Sequence, residues 1–414
     1  MGTVISTSTT NFDKALVTLI QKNLEQELRA PLPHLLPGNF RKAEFVKGTN
    51  NTMRFLRIQD MAELAGEDAD PSAGTAPWLT EGTPPTSEDL TLGYEEFSAN
   101  QAGRVIKLTD KAMQAHPIDM LGEAAAKVAR NALETADRRV ARVLGAGSNV
   151  LYADLGSDRL NIGTNDVLSA SVLRRAIAGL KADNVPAFPD GLYRAIINPA
   201  ATFEFMEETG NAGWQNAALY AGSMPLLSGE LGRFAGCRFI ESSAAKVFAD
   251  AGTTSKAIAL TLTAATDVFA GTAHGLKAGD KVRFRTVATS ATPAEDTVYY
   301  VIASGLTADA FKVSATAGGA TINIDADGSV ASGDWGVVND VYSTFIYGPE
   351  AYVFGDWGTI EAHITPPGGH DDPLHQSALV GWKGYFGAML VGEGDNATNA
   401  SGPRYVRVES GSSL

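Results

Sequence analysis

Residues 347–391 read YGPEAYVFGDWGTIEAHITPPGGHDDPLHQSALVGWKGYFGAMLV. A strand-like aromatic run opens the stretch, and Pro366, Pro367, Gly368 and Gly369 break it. The string DPLHQSALVGWK follows, then an apolar run that ends near the last residues. So apolar a segment at that place in the chain must pack against something already built, so a core closes here.

The composition bounds what surrounds it. A chain of 414 residues is long enough for two or three domains, each with its own core. The net charge of −14 argues against salt-dependent gripping of nucleic acid as the main task, which needs a concentrated basic surface. An acidic protein can still enclose DNA. The single cysteine, Cys237, excludes an internal disulfide and a multi-cysteine zinc site, and in the strand-like CRFIES it reads as a small buried apolar residue. No basic and apolar leader pattern opens the sequence, and no run of about 18 apolar residues crosses a membrane, so folding in a cytoplasm is expected.

Working outward, residues 11–29 place Phe12, Leu16, Leu19, Ile20, Leu24 and Leu28 at helical spacing behind the cap Asn11, before Pro31, Pro33 and Pro37. From Phe45 to Leu108 the chain alternates as strands do, around a polar, turn-rich stretch at 66–91, which predicts an extended hairpin. Residues 117–145 predict a helix roughly 40 Å long, with Leu121, Ala125, Val128, Ala132, Leu133, Ala136, Val140 and Val143 on one face and Arg130, Glu134, Asp137, Arg138 and Arg142 on the other. A second helix falls at 169–183, and a buried strand runs into a short helix opened by Pro199. Near Gly252 the composition shifts. Through Gly336 short alternating runs at 257–264, 281–287, 297–304, 310–317 and 321–327 alternate with glycine turns, which predicts a small all-β domain inserted in a continuing one, its two ends close together.

The constellation most like an active site is His363, His370, Asp371, Asp372 and His375, which could ligate a divalent ion. Its spacing matches no metalloenzyme pattern, and a solvated loop is the competing reading. His34, His116 and His274 stand alone beside prolines or glycine turns. Gly145, Ala146 and Gly147 terminate a helix and do not cradle phosphate, and no nucleophile elbow is present. No catalytic, cofactor-binding or metal residue is therefore assigned, and no cofactor is expected.

With these pieces in place, Gly348-Pro349-Glu350-Ala351-Tyr352, Asp372-Pro373-Leu374-His375-Gln376 and Val380-Gly381-Trp382-Lys383-Gly384-Tyr385-Phe386 resemble the major capsid proteins of tailed bacteriophages, in particular the podovirus type. The resemblance covers about four-fifths of the chain, upstream by element order only. It implies an α+β tailed-phage capsid fold, shared with herpesvirus shells. Residues 1–44 would be an N-terminal arm with an amphipathic helix, 45–110 an extended β-hairpin loop, and 111–168 a peripheral domain with a spine helix. An axial domain would follow at 169–251, the inserted all-β domain at 252–336, a return to the axial domain at 337–346, and peripheral strands with a tail at 347–414.

The function so implied is a non-enzymatic subunit that forms hexamers and pentamers of an icosahedral shell around double-stranded DNA, with no membrane contact. Scaffolding, portal and decoration proteins would be its partners, and the virion its location after assembly in the host cytoplasm. Two readings compete: a virion tail or surface protein whose β insertion recognises a receptor or carbohydrate, and a metal-dependent hydrolase using the His-Asp loop.

Overall fold

The computed structural model describes residues 32–36, 40–44, 52–58, 82, 92–115, 120–156, 158–207, 230–356, 360–365, 374, 376–392 and 403–414. The expected helix at 11–29 and the hairpin tip at 66–91, apart from Gly82, lie outside them. The chain forms two compact units. The first comprises residues 1–148, 180–188 and 347–405, and the second residues 149–179, 189–346 and 406–414.

The first unit is a five-stranded sheet against one long helix. Its central strand, Ser377–Leu390, pairs along one edge with Asn100–Thr109 and along the other with Glu361–Thr365 and Tyr352–Asp356. Arg41–Glu44 adds in parallel to Tyr352–Asp356. The helix spans Met120–Leu144, inside the expected 117–145, of which 117–119 lie outside the described residues. Ala125, Val128, Ala132 and Ala136 pack on Val380, Trp382 and Phe386. The small alanines let the helix backbone approach the sheet, and the Trp382 indole donates to Asn131 Oδ1 at 3.1 Å. Glycine recurs in the strand for a similar reason: a Cβ on Gly387 would stand 2.5 Å from the Ser98 carbonyl oxygen.

Residues 45–108, expected as one hairpin, divide at Ala99. Leu92–Ser98 pairs with Thr52–Ile58, whereas Asn100–Thr109 turns onto the large sheet. Alternation sets the hairpin's faces. Phe55 and Phe97 stack at 6.0 Å and join Ala43, Ala99 and Val353, while Tyr94 and Glu96 point to solvent.

The second unit is organised by Trp335–Tyr347, a 13-residue strand. On one side lies the order Lys281–Phe284, Val298–Ile302, Ala310–Ser314, Val268–Ala270, Leu260–Thr263 and Gly328–Val330; on the other Tyr193–Ile197, Cys237–Glu241 and Glu230–Phe234. Val247–Ser255 and Tyr405–Ser410 also pair with the organising strand. Asn198 caps the helix Pro199–Glu207 by accepting from Ala200 N at 3.0 Å, with proline at the first helical position. Cys237 is fully buried, and burial pushes its thiol far above the usual range.

Residues 258–337 hold a hydrophobic core of their own, in which Phe269 stacks on Phe284 (4.9 Å) and Phe311 (5.3 Å), and Phe311 on Trp335 (5.7 Å). The segment's ends are neighbours: Ser255 pairs with Gly336, and Lys256 N donates to Trp335 O at 2.9 Å. Buried Arg283 pins this root, donating to the Gly252 carbonyl (3.1 Å) and Thr253 Oγ1 (2.9 Å). The run 321–327 is not a strand. Ile324 is buried as its alternation suggests, but its N–H donates to Asp267 Oδ1, and the ladder strand is Gly328–Val330 instead.

Two carboxylates tie residues 406–414 down. Glu409, fully buried, takes two bonds from Arg159 (2.6 and 2.7 Å) and one from Arg407 (2.8 Å), with the Arg159 guanidinium 3.7 Å over the Phe248 ring. Glu204 accepts from Ser412 Oγ (3.0 Å), Ser413 N (2.5 Å) and Ser413 Oγ (2.7 Å). Burial pushes the Glu204 carboxyl up, but these hydrogen bonds outweigh it and hold the group below its ordinary value. A depressed carboxylate stabilises the fold above its unfolded value, roughly pH 4.3, and that increment disappears as pH falls through the folded value. Glu204→Gln should therefore cost about 1–3 kcal/mol at pH 7, with the gap to the parent narrowing steadily toward pH 3 in urea unfolding. A gap independent of pH would show that the carboxylate's charge is not what the serines hold.

Candidate functional site

Of the five residues in the candidate metal cluster, only His363 is described. It stands exposed on the edge strand Glu361–Thr365, with Nε2 3.3 Å from Glu361 Oε2, itself 3.2 Å from Lys383 Nζ. That is a solvated cross-strand charge cluster, and the Lys383 ammonium holds the Glu361 carboxyl below its usual value. His370, Asp371, Asp372 and His375 lie outside the described residues. Among the described residues, no three His, Cys, Asp or Glu side chains converge as a metal site would need.

The isolated histidines that are described turn out to be buried. His274 Nδ1 accepts from Leu276 N at 3.0 Å, and its ring sits edge-on to Phe311. His34 meets Asp137, which the helical pattern placed on the solvent face. Asp137 is 2% exposed; Oδ1 accepts from His34 N at 3.1 Å, and Oδ2 lies 2.9 Å from His34 Nδ1. The Tyr352 hydroxyl donates to the His34 carbonyl at 2.7 Å, which ties the N-terminal segment to both helix and sheet. Asp137 was legible as buried, since Leu133, Val140, Ala141 and Leu144 flank it at i−4, i+3, i+4 and i+7. Its partner, 103 residues away, was not. These bonds join the pair to the N-terminal segment, the helix and the sheet, as a structural clasp does.

Several described side chains form exposed surface. On the hairpin's outer face the Arg54 guanidinium lies 5.0 Å over the Tyr94 ring and pairs with Glu96 at 2.7 Å. Val105 (63% exposed) and Leu379 stand on the face of the first sheet turned from the helix. In residues 252–336, Phe269, Tyr299, Phe284, Phe311 and Trp335 are buried and Tyr300 is half-buried. The aromatic platform that a carbohydrate reader needs is thus spent on the core.

No family model matches the sequence, and no curated protein matches it. Solved structures do. The capsid of Ralstonia phage GP4 aligns over 91% of this chain and 87% of its own at 10% identity, with a TM-score of 0.54. The Cyanophage Pam1 capsid asymmetric unit aligns over 92% of both chains at 13% identity, with a TM-score of 0.50. The chain has the tailed-phage capsid fold, of mixed α+β class.

Asp137→Ala would leave the His34 amide and ring without their acceptor in a buried site, a loss of about 2–4 kcal/mol. Chemical denaturation of the purified variant measures it; stability within 0.5 kcal/mol of the parent would remove the clasp from the architecture.

Proposed function

We propose that this chain is a major capsid subunit, assembling into hexamers and pentamers of an icosahedral shell around double-stranded DNA and catalysing no reaction. The observation that carries the proposal is the fold: a likeness to two phage capsid structures that runs over nine-tenths of the chain. The two-stranded hairpin adds to it. Heterologous subunit contacts close into rings, and projecting arms supply interface area beyond one compact face.

In this reading the first compact unit is the peripheral domain and the main sheet of the second is the axial domain at capsomer centres. Residues 252–336 are an inserted module with its own core, rooted on the Ser255–Gly336 pair. The hairpin of Thr52–Ile58 and Leu92–Ser98 is the base of an arm that reaches a neighbouring subunit. Scaffolding, portal and decoration proteins are the partners such a shell requires, the virion is its location, and the host cytoplasm the place of assembly.

Negative-stain microscopy of the expressed chain, alone and with its scaffold, should show shells, rings or tubes. A variant lacking residues 66–91 should keep the parent's circular dichroism and melting yet assemble poorly. Dispersed monomers under every condition for the full chain would end the shell reading, and full assembly of the deletion variant would reduce the arm to a surface loop.

A further inference from the structure

The first unit contains a cleft of about 430 Å³ between the strand Asn100–Thr109 and the C-terminal half of the helix Met120–Leu144. Strand pairing decides which side chains reach it. Arg104 pairs with Trp382, and Ala102 and Ile106 on the same face pack beneath the helix, so period-two alternation aims Arg104 at the helix as well. From the helix come Arg138, Arg139 and Arg142, and the floor is Trp382 and Phe386. The other polar groups lining it, Asn100, Gln101, Asn131 and Thr135, carry no charge, and among the described residues no carboxylate lines it.

This arrangement is electrostatically unsatisfied. Arg138 and Arg142 sit at i and i+4, where like charges repel. The same helix shows the alternative, because Arg130 meets Glu134 at i+4 with Nε 2.7 Å from Oε1. None of the four cleft arginines has a carboxylate partner among the described residues, in a chain that carries 47 acidic residues against 33 basic ones. Arg139 Nε is moreover buried without a hydrogen-bond partner. Four guanidiniums held together without counter-charge form a site that an anion completes.

We propose that this cleft is a seat for the phosphodiester backbone of nucleic acid. Lysine is absent from the lining, and the planar guanidinium fork is the group that takes phosphate oxygens two at a time. Arg104, Arg138 and Arg142 are exposed at the rim while Arg139 is half-buried within, so a polymer lying across the mouth meets three of them at once. Arg138 and Arg142 are about 6 Å apart along the helix axis. Phosphates recur about every 3.4 Å along one strand, so two neighbouring positions of a regular polyanion fall within their reach. The rest of the acidic surface repels DNA, which makes the seat weak, local and salt-dependent. The shell reading supplies only the source of the nucleic acid. Binding is measured on the free subunit, so its failure and a failure to assemble are separate results.

The test is fluorescence anisotropy of a labelled 20-base-pair duplex against the full-length subunit from 25 to 200 mM salt. Up to four phosphate contacts predict a slope of log affinity on log salt of about −3 to −4. Arg138→Gln with Arg142→Gln should weaken binding at least tenfold and flatten that slope by about 1–2, at unchanged circular dichroism. Lys127→Gln with Arg130→Gln removes the same charge from the same helix outside the cleft and should cost less than threefold. Equal losses in the two variants would overturn the proposal, as would no binding at 25 mM salt. Inorganic phosphate displacing the duplex at equal phosphate concentration would reduce the cleft to a small-anion site and also overturn it. So would cleft-dependent capture of a peptide of residues 59–91, which has eight carboxylates and no Lys or Arg, by a subunit that leaves DNA free.

Discussion

The contact of Ala125, Val128, Ala132 and Ala136 with Val380, Trp382 and Phe386 is the constraint on which the first unit depends. Alanine on the helix brings its backbone close to the sheet; the bulk is supplied from the strand side. The closing strand can present that bulk because it is paired on both edges and cannot shift register without moving all three strands attached to it. The hairpin base, Asn100–Thr109 and the His34–Asp137 clasp all attach to this one layer.

The second unit uses the same device with different chemistry. Trp335–Tyr347 pairs with strands drawn from both ends of the unit, and Glu409 joins Arg159 and Arg407 beneath them. In each unit the decisive contact spans about 250 residues, Asn131 to Trp382 in one and Arg159 to Glu409 in the other. The Asn131–Trp382 and Arg159–Glu409 contacts cannot form until residues 382 and 409 have been made, and such long-range closure folds slowly. For a subunit that must meet other copies, this keeps assembly surfaces incomplete until each subunit is itself complete.

The buried ionic groups also explain how an acidic chain with so few charged core residues holds His34 and residues 406–414 in place. Glu409, Glu204 and Asp137 are each surrounded by donors, so none of them is an unpaired buried charge. The cleft arginines are the reverse case, charge gathered without a counter-charge among the described residues, and that contrast within one fold is what marks the cleft as a place for a ligand.

The sequence by itself determined the long helix, the hairpin, the all-β composition of 252–336, the buried Cys237 and the closing strand, because each is written in a local period of 2 or 3.6 or in proline and glycine punctuation. The capsid resemblance was legible in the strings around Gly348 and Gly381. Other features were decided only by the tertiary structure. The partner of buried Asp137, His34, stands 103 residues away; the returning strand divided at Ala99 because its second half had a partner near residue 380; Ile324 kept its buried place without a ladder. Periodicity reports which way a side chain faces, but not what stands opposite. The four arginines of the cleft, drawn from a strand and a helix, become a site only when pairing across some 280 residues sets them side by side.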